Sequence, residues 1–190
     1  NSKDVLKVLL ELKKNTPESD IILMGFSLGG NTSLKLSGEL GIEAEKIVKK
    51  IFAVCPPIDL RETVRLIELK KNWIYHKYYL DRITKQSAPW IKQKVNSIYE
   101  YNDRVTGPLW GFKDALEYYE KCSSIRFLSQ IRCETHIIFA EDDPFVSLDP
   151  LKTVNLPKQV HIWTSKYGSH LGFLGRTEFQ WMDEFLLNQV

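Results

Sequence analysis

The sequence has too few cysteines and too little excess charge for several classes of protein. Its three cysteines, Cys55, Cys122 and Cys133, are odd in number and form no C-x-x-C pair. This spacing argues against a disulfide framework, so we expect three reduced, structural thiols and a cytoplasmic protein. The net charge is only +2, and no basic run alternates with aromatic residues. A nucleic-acid partner is therefore not expected.

Signals for membranes, metals and cofactors are also lacking. No stretch approaches the ~18 consecutive apolar residues of a membrane span, and no charged-then-apolar leader is present. The glycines form neither G-x-G-x-x-G nor G-K-[ST], and the histidines lack H-E-x-x-H spacing, so we predict no phosphate loop, no metal site and no cofactor. The chain begins at Asn1 inside an amphipathic helix that we expect Ser2 to cap. Membrane association through an upstream anchor stays an open question.

What the chain does contain is an alternation of apolar strands and amphipathic helices. Its 190 residues, 43% of them hydrophobic, suffice for one sizeable core. Helical patterns cover residues 31–40, 43–50 and 178–187, and short apolar runs predict strands at 21–24, 51–55, 135–140 and 159–164. This alternation predicts an α/β fold with a mostly parallel sheet flanked by helices.

The region between Pro57 and Arg132 interrupts that alternation, because it shows only helical patterns rich in tyrosine, tryptophan and lysine. We therefore predict a core formed by residues 1–58 and 131–190, with a helical cap insertion at 59–130. Aromatic residues of the cap favour an apolar acyl or alcohol group bound beneath it, although such residues more often serve packing. They are Trp73, Tyr75, Tyr78, Tyr79, Trp90 and Trp110.

One short motif carries chemistry. Gly25-Phe26-Ser27-Leu28-Gly29 follows a predicted strand and opens a predicted helix, which is the context of the G-x-S-x-G nucleophile elbow. Such a turn exposes the serine oxygen at the end of the sheet, and the helix N-terminus favours negative charge that develops nearby. A helix-capping serine beside flexible glycines is the alternative interpretation.

A serine nucleophile needs a base, and the base needs an acid, which in this type of fold follow in the order serine, acid, histidine. His170 lies in a loop with small neighbours after the last predicted strand, whereas His136 and His161 lie within strands and His76 in the insertion. We therefore predict His170 as the base.

Two adjacent acids follow the third predicted strand. We prefer Asp143 to Asp142, because Pro144 restricts the backbone of Asp143 and Asp142 then caps or forms an ion pair. A solvated turn is the ordinary alternative for both. Asp59, after the second strand, is a further candidate that we rank below Asp143.

At these residues the sequence resembles a known family. The segments "GFSLGGN", "YNDRVTGPLWGFKDALEYYEKCSS", "FAEDDPF" and "YGSHLGF" are similar to the YheT-type branch of the α/β-hydrolases, which includes ABHD lipases and esterases. The resemblance implies a partial α/β-hydrolase fold and a serine hydrolase of carboxylic esters with a Ser27, Asp143 and His170 triad. It also implies one oxyanion donor at the Leu28 N–H, and a small-molecule ester or lipid substrate.

The resemblance has one gap, which keeps alternatives open. The family has early strands and a His-Gly loop before the elbow, and nothing in Asn1 to Asp20 matches them. We therefore expect a fragment or split-gene product, with an N-terminal segment of the same fold as its missing partner. The alternatives are a catalytically inactive piece, and an acyltransferase that uses the same triad.

Overall fold

The computed structural model describes residues 1–87, 94–173 and 181–189. By its contacts the chain divides into two compact units: the first comprises Asn1–Ile58 and Ser123–Val190, and the second comprises Asp59–Cys122. Trp90 and the start of the predicted C-terminal helix lie outside the described residues.

The described residues contain four strands and eight helices. The strands are β1 (Ile22–Phe26), β2 (Lys50–Val54), β3 (Glu134–Ala140) and β4 (Val160–Ser165). The helices are α1 (Ser2–Asn15), α2 (Leu28–Leu40), α3 (Leu60–Ile67), α4 (Trp73–Ser87), α5 (Ile98–Tyr101), α6 (Gly107–Leu109), α7 (Ala115–Cys122) and α8 (Trp181–Gln189). Short 3₁₀ turns occupy Gly41–Lys46, Lys70–Asn72, Ser124–Arg126, Leu128–Gln130 and Asp149–Thr153, and a π turn occupies Asn102–Thr106.

The first unit is built on a parallel sheet in the order β1-β2-β3-β4. The central strands β2 and β3 are apolar and almost wholly buried, as expected for strands covered on both faces. One core cluster includes Phe52, Ile138 and Phe173 together with two side chains of α8. This parallel sheet with flanking helices is the predicted fold class.

Strand β1 lies at one edge of this sheet. Among the described residues it pairs only with β2, and its Met24 and Phe26 side chains remain 40% and 42% exposed. An edge strand with apolar side chains is a ready site for pairing with another strand.

Three local predictions were wrong. Asn1, not Ser2, caps α1, because the Asn1 side chain accepts the Asp4 N–H in a capping box, whereas the Ser2 hydroxyl donates to Glu39. The predicted helix at 43–50 is a 3₁₀ turn at Gly41–Lys46, since Lys50 already pairs in the sheet.

The third error is the end of the insertion. Residues 123–130, which fall within the predicted cap, lie in the first unit. The buried Asn31 of α2 accepts the Ser124 N–H at 2.8 Å, and Leu128 is fully buried. These contacts tie the segment to α2.

The described part of the second unit consists of helices joined by turns and loops. The Asp59 carboxylate accepts the Glu62 N–H at 3.0 Å and so caps α3. A small core forms around Leu60, Ala115 and Tyr119. Within the described ranges, none of the helices is both long and apolar enough to cross a membrane.

Candidate active site

Ser27 occupies a sharp turn between β1 and α2. Its backbone has φ 49° and ψ −123°, an unfavourable region for a residue with a side chain. The turn is tight, because a Cβ at Gly25 would lie 2.6 Å from the Gly29 carbonyl. Ser27 stands at the N-cap position of α2, yet its hydroxyl makes no capping hydrogen bond. The capping alternative for this serine is therefore not what the geometry shows.

The Ser27 hydroxyl instead faces His170. The distance from Ser27 Oγ to His170 Nε2 is 3.0 Å, and that from His170 Nδ1 to Asp143 Oδ2 is 2.8 Å. The three side chains thus lie in one continuous chain of hydrogen bonds. The His170 side chain is 8% exposed and that of Asp143 is fully buried, so little water competes with these contacts.

The Asp143 carboxylate is held by hydrogen bonds from the residues that follow it. Asp143 Oδ1 accepts the backbone N–H groups of Phe145 and Val146 at 3.1 and 3.0 Å. The other oxygen, Oδ2, remains for His170. Because a carboxylate only accepts, His170 Nδ1 must carry the proton and Nε2 is left to accept from the serine hydroxyl.

Asp142 has a different task, which the sequence alone did not reveal. Its Oδ1 accepts the N–H groups of Gly168 and Ser169 at 2.9 and 2.7 Å. It thereby links the loop after β3 to the loop that carries His170 after β4. The sequence predicted a cap or an ion pair for Asp142, and the structure shows instead an acceptor for two N–H groups of a distant loop.

The loop around His170 is also strained. Ser169 and Leu171, on either side of the histidine, have φ of 45° and 70°. The Phe145 ring packs 4.5 Å from the imidazole, and Gly172 N–H closes the loop on Gly168 O at 2.7 Å. The ring is thus held in place from two directions.

His136, one of the strand histidines, has a structural environment. It is buried, its Nδ1 accepts the Trp163 indole N–H at 3.0 Å, and its Nε2 lies 2.9 Å from Glu134. Burial lowers the pKa of His136. Its hydrogen bonds account for the side chain without a catalytic role.

Cys55, predicted from the sequence to be a structural thiol, lies beside the hydrogen-bonded trio. Its sulfur lies with one Asp143 oxygen and one His170 ring nitrogen in a group whose atoms are all within 4.8 Å of one another. A metal ion would need the thiolate, but burial raises the pKa of Cys55 to about 12. The signal that could have found it is its position, directly after the central strand β2.

A surface cleft of about 320 Å³ lies elsewhere, lined by Asp20, Lys49, Cys133 and Glu134 among others. These residues lie at the amino ends of the strands, whereas Ser27, Asp143 and His170 follow carboxyl ends. The Lys49 ammonium is paired with Asp20. The cleft is thus separate from the hydrogen-bonded trio.

Comparisons with known proteins agree on the fold. The sequence model of the alpha/beta hydrolase fold matches residues 1–113. The protein named "Putative esterase YheT" from Escherichia coli (strain K12) is 28% identical, with 93% of this chain and 55% of that protein covered. The monoacylglycerol lipase of Saccharomyces cerevisiae is 24% identical, with 96% and 45% covered. The chain thus spans about half the length of these curated relatives.

Solved structures show the same architecture. The Pyrococcus furiosus esterase Pf2001 superposes with a TM-score of 0.56 at 17% sequence identity, over 97% of this chain and 60% of that one. At this level of identity the likeness concerns the fold alone. It agrees with the parallel sheet and flanking helices described above.

Proposed function

Since this chain belongs to the α/β-hydrolase fold family and is similar to its YheT-like, ABHD-type members, we propose that it is a serine hydrolase of carboxylic esters. The observation that carries the proposal is the hydrogen-bonded series Ser27 Oγ, His170 Nε2, His170 Nδ1 and Asp143 Oδ2. Nucleophile, base and orienting acid stand within direct reach of one another, which is the geometry that activates a serine.

The reaction follows from these contacts. Ser27 Oγ attacks the ester carbonyl carbon while its proton passes to His170 Nε2. The tetrahedral intermediate collapses, and the same proton leaves with the alcohol, so that an acyl-serine remains. Water then attacks the acyl carbon and gives its proton to His170, which returns it to Ser27 as the acid departs. Asp143 stays ionised throughout and stabilises the imidazolium.

The negative charge that develops on the carbonyl oxygen of the substrate must also be stabilised by hydrogen-bond donors. Leu28 is the first residue of α2, where backbone N–H groups have no partner within the helix, and its N–H supplies one oxyanion donor. Loss of a second donor typically costs ~10² to 10³ in rate. A further strand added in parallel to the edge of β1 would end near the same turn, and such a strand is our proposed source of the second donor.

The substrate class follows less directly. The sequence-based expectation of an apolar acyl or alcohol group stays a prediction. One relative is named a monoacylglycerol lipase, which supports a lipid ester for this chain too. Transfer of the acyl group to an alcohol uses the same residues, and product analysis with and without added alcohol separates the two reactions.

The test is covalent labelling with a fluorophosphonate probe, read by intact mass. We expect one probe per chain in the wild type, and no labelling in Ser27→Ala or His170→Ala. Ser33→Ala is the matched control, because Ser33 lies on the same helix and its hydroxyl donates to Gly29 O; it should label normally. A folded wild-type chain that does not label, or a Ser27→Ala chain that does, would contradict the proposal. The first result would favour an inactive piece of the fold.

A further inference from the structure

Backbone strain in the first unit points to one residue outside the trio. In the part of the chain that the structure describes, four residues other than glycine have positive φ: Ser27, Cys55, Ser169 and Leu171. Ser27 is the proposed nucleophile, and Ser169 and Leu171 flank His170. Strain of this kind persists only where the surrounding structure enforces it, and it clusters at functional sites. Cys55, with φ 44°, is the member of this group that the proposed mechanism does not use.

The backbone at Cys55 is held on both sides. The peptide that joins Val54 to Cys55 accepts the Ser27 N–H at Val54 O, and it donates from Cys55 N to Ile138 O, each at 2.8 Å. The same peptide therefore connects the serine turn to β3, which leads to Asp143. This double clamp explains how an unfavourable φ is maintained at a residue with a Cβ.

The thiol lies where the apolar core meets the acid. Cys55 is fully buried and belongs to the cluster formed by Phe52, Ile138 and Phe173. Its sulfur is within 4.8 Å of an Asp143 oxygen and a His170 nitrogen. Burial raises the pKa of the thiol to about 12, and the Asp143 charge adds to this. Cys55 is therefore a neutral S–H group, a weak donor beside a buried carboxylate.

We propose that the Cys55 thiol is a positioning residue that holds the Asp143 carboxylate toward His170. Two backbone N–H groups already fix Asp143 Oδ1 and His170 faces Oδ2, while the thiol lies within 4.8 Å of one of the two carboxylate oxygens. A donor beside the carboxylate keeps its plane from rotating about the Cβ–Cγ bond and keeps water out of the site. The inference rests on the proposed function for its catalytic consequence, but its structural content does not depend on turnover.

The experiment compares Cys55→Ala, Cys55→Ser and Cys133→Ala with the wild type. Cys133 is the matched control: it is a buried cysteine just before β3, with its sulfur 3.2 Å from Ser37 Oγ, and it is not among the groups around His170. One readout is the low-field proton resonance of His170 Nδ1–H, assigned by its loss in His170→Ala. The other is the rate of fluorophosphonate labelling.

We expect Cys55→Ala to shift or broaden the His170 resonance and to slow labelling about five- to tenfold, which corresponds to one hydrogen bond of ordinary net strength. Cys55→Ser, which retains a donor, should restore most of both signals, and Cys133→Ala should change neither. If Cys55→Ala does not fold, Cys55→Gly removes the thiol and relieves the positive φ, and should show the same losses.

Three results would overturn the inference: an unchanged His170 resonance in the variants without the thiol, a Cys133→Ala variant that loses as much as Cys55→Ala, or a serine variant as impaired as the alanine variant. The two proposals fail separately. A His170 resonance that depends on Cys55 in a chain that never labels supports the positioning role and contradicts the hydrolase. Labelling that requires Ser27 but is unchanged in the Cys55 variants supports the hydrolase and contradicts the positioning role.

Discussion

Replacing Asp143 with asparagine removes the charge of the proposed acid and leaves its size almost unchanged. In the wild type, Oδ1 accepts the N–H groups of Phe145 and Val146, and Oδ2 faces His170. The single amide oxygen of asparagine satisfies the two backbone donors, so the NH₂ group turns toward His170 Nδ1. That nitrogen must then accept, and the ring proton moves to Nε2, where it faces Ser27 Oγ. The base can no longer take the serine proton.

The magnitude follows from this change of tautomer. In the serine-protease template the same substitution lowers kcat about 10⁴-fold, and since Asp143 is fully buried, water cannot replace the lost charge. We expect Asp143→Asn to slow ester hydrolysis and fluorophosphonate labelling by on the order of 10³ to 10⁴. Thermal unfolding should show that the variant still folds, because both backbone contacts are retained.

Asp142→Asn is the matched control, since it makes the same chemical change one residue away. One amide oxygen can accept both the Gly168 and the Ser169 N–H groups that Asp142 Oδ1 accepts now. We expect labelling to slow only a few-fold, with no change of tautomer at His170. If the two variants lose the same activity, or if Asp142→Asn loses more, the assignment of Asp143 as the orienting acid is wrong.

Three further predictions concern the scaffold. Gly25→Ala should abolish labelling and lower the melting temperature, because the new Cβ would lie 2.6 Å from the backbone of Gly29. Gly29→Ala should be tolerated, because its Cβ would have nothing within 4 Å. Melting curves and labelling rates test this pair of variants. Asn31→Ala should lower the free energy of unfolding in urea by about 1–3 kcal/mol, because the buried Ser124 N–H loses its acceptor. Burial lowers the pKa of His136, so folding favours the neutral imidazole. The contribution of His136 to the free energy of unfolding should therefore be fully present above pH 6.5, the ordinary pKa of histidine, and should be lost as the pH falls below that value. Urea titrations at several pH values should show that the free energy of unfolding of His136→Gln falls less with decreasing pH than that of the wild type. An identical fall in both proteins would contradict this prediction.

Much of the first unit could be predicted from local pattern. Apolar runs located all four strands to within two residues at each end, because strands buried on both faces leave a continuous apolar signal. The proximity of Ser27, Asp143 and His170 could be predicted because each residue follows a strand, and parallel strands present their carboxyl ends at one edge. The predicted α/β-hydrolase fold is confirmed by the family match.

The missed features depend on contacts between distant residues. Nothing local shows that residues 123–130 belong with α2, since the decisive contact is the hydrogen bond from Ser124 to Asn31. Pro144 led to the choice of Asp143, but its turn places the carboxylate through the N–H groups of Phe145 and Val146. The position of the Cys55 thiol beside Asp143 likewise depends on how β2 lies against β3.

The geometry of the trio in the end depends on strand register, which apolar runs do not specify. Phe26 of β1 lies level with Val54, and Val54 lies level with Ile138. Strands β1 and β2 end at this level, whereas β3 continues by two residues and pairs with β4 as far as Ala140 and Ser165. The loops that carry Asp143 and His170 therefore begin two residues, or about 6 to 7 Å, beyond the end of β1. That offset leaves room for the serine turn beneath the imidazole. A slip of one residue between β2 and β3 would turn every core side chain of one strand to the opposite face, so the packing of the core and the spacing of the trio are set by the same register.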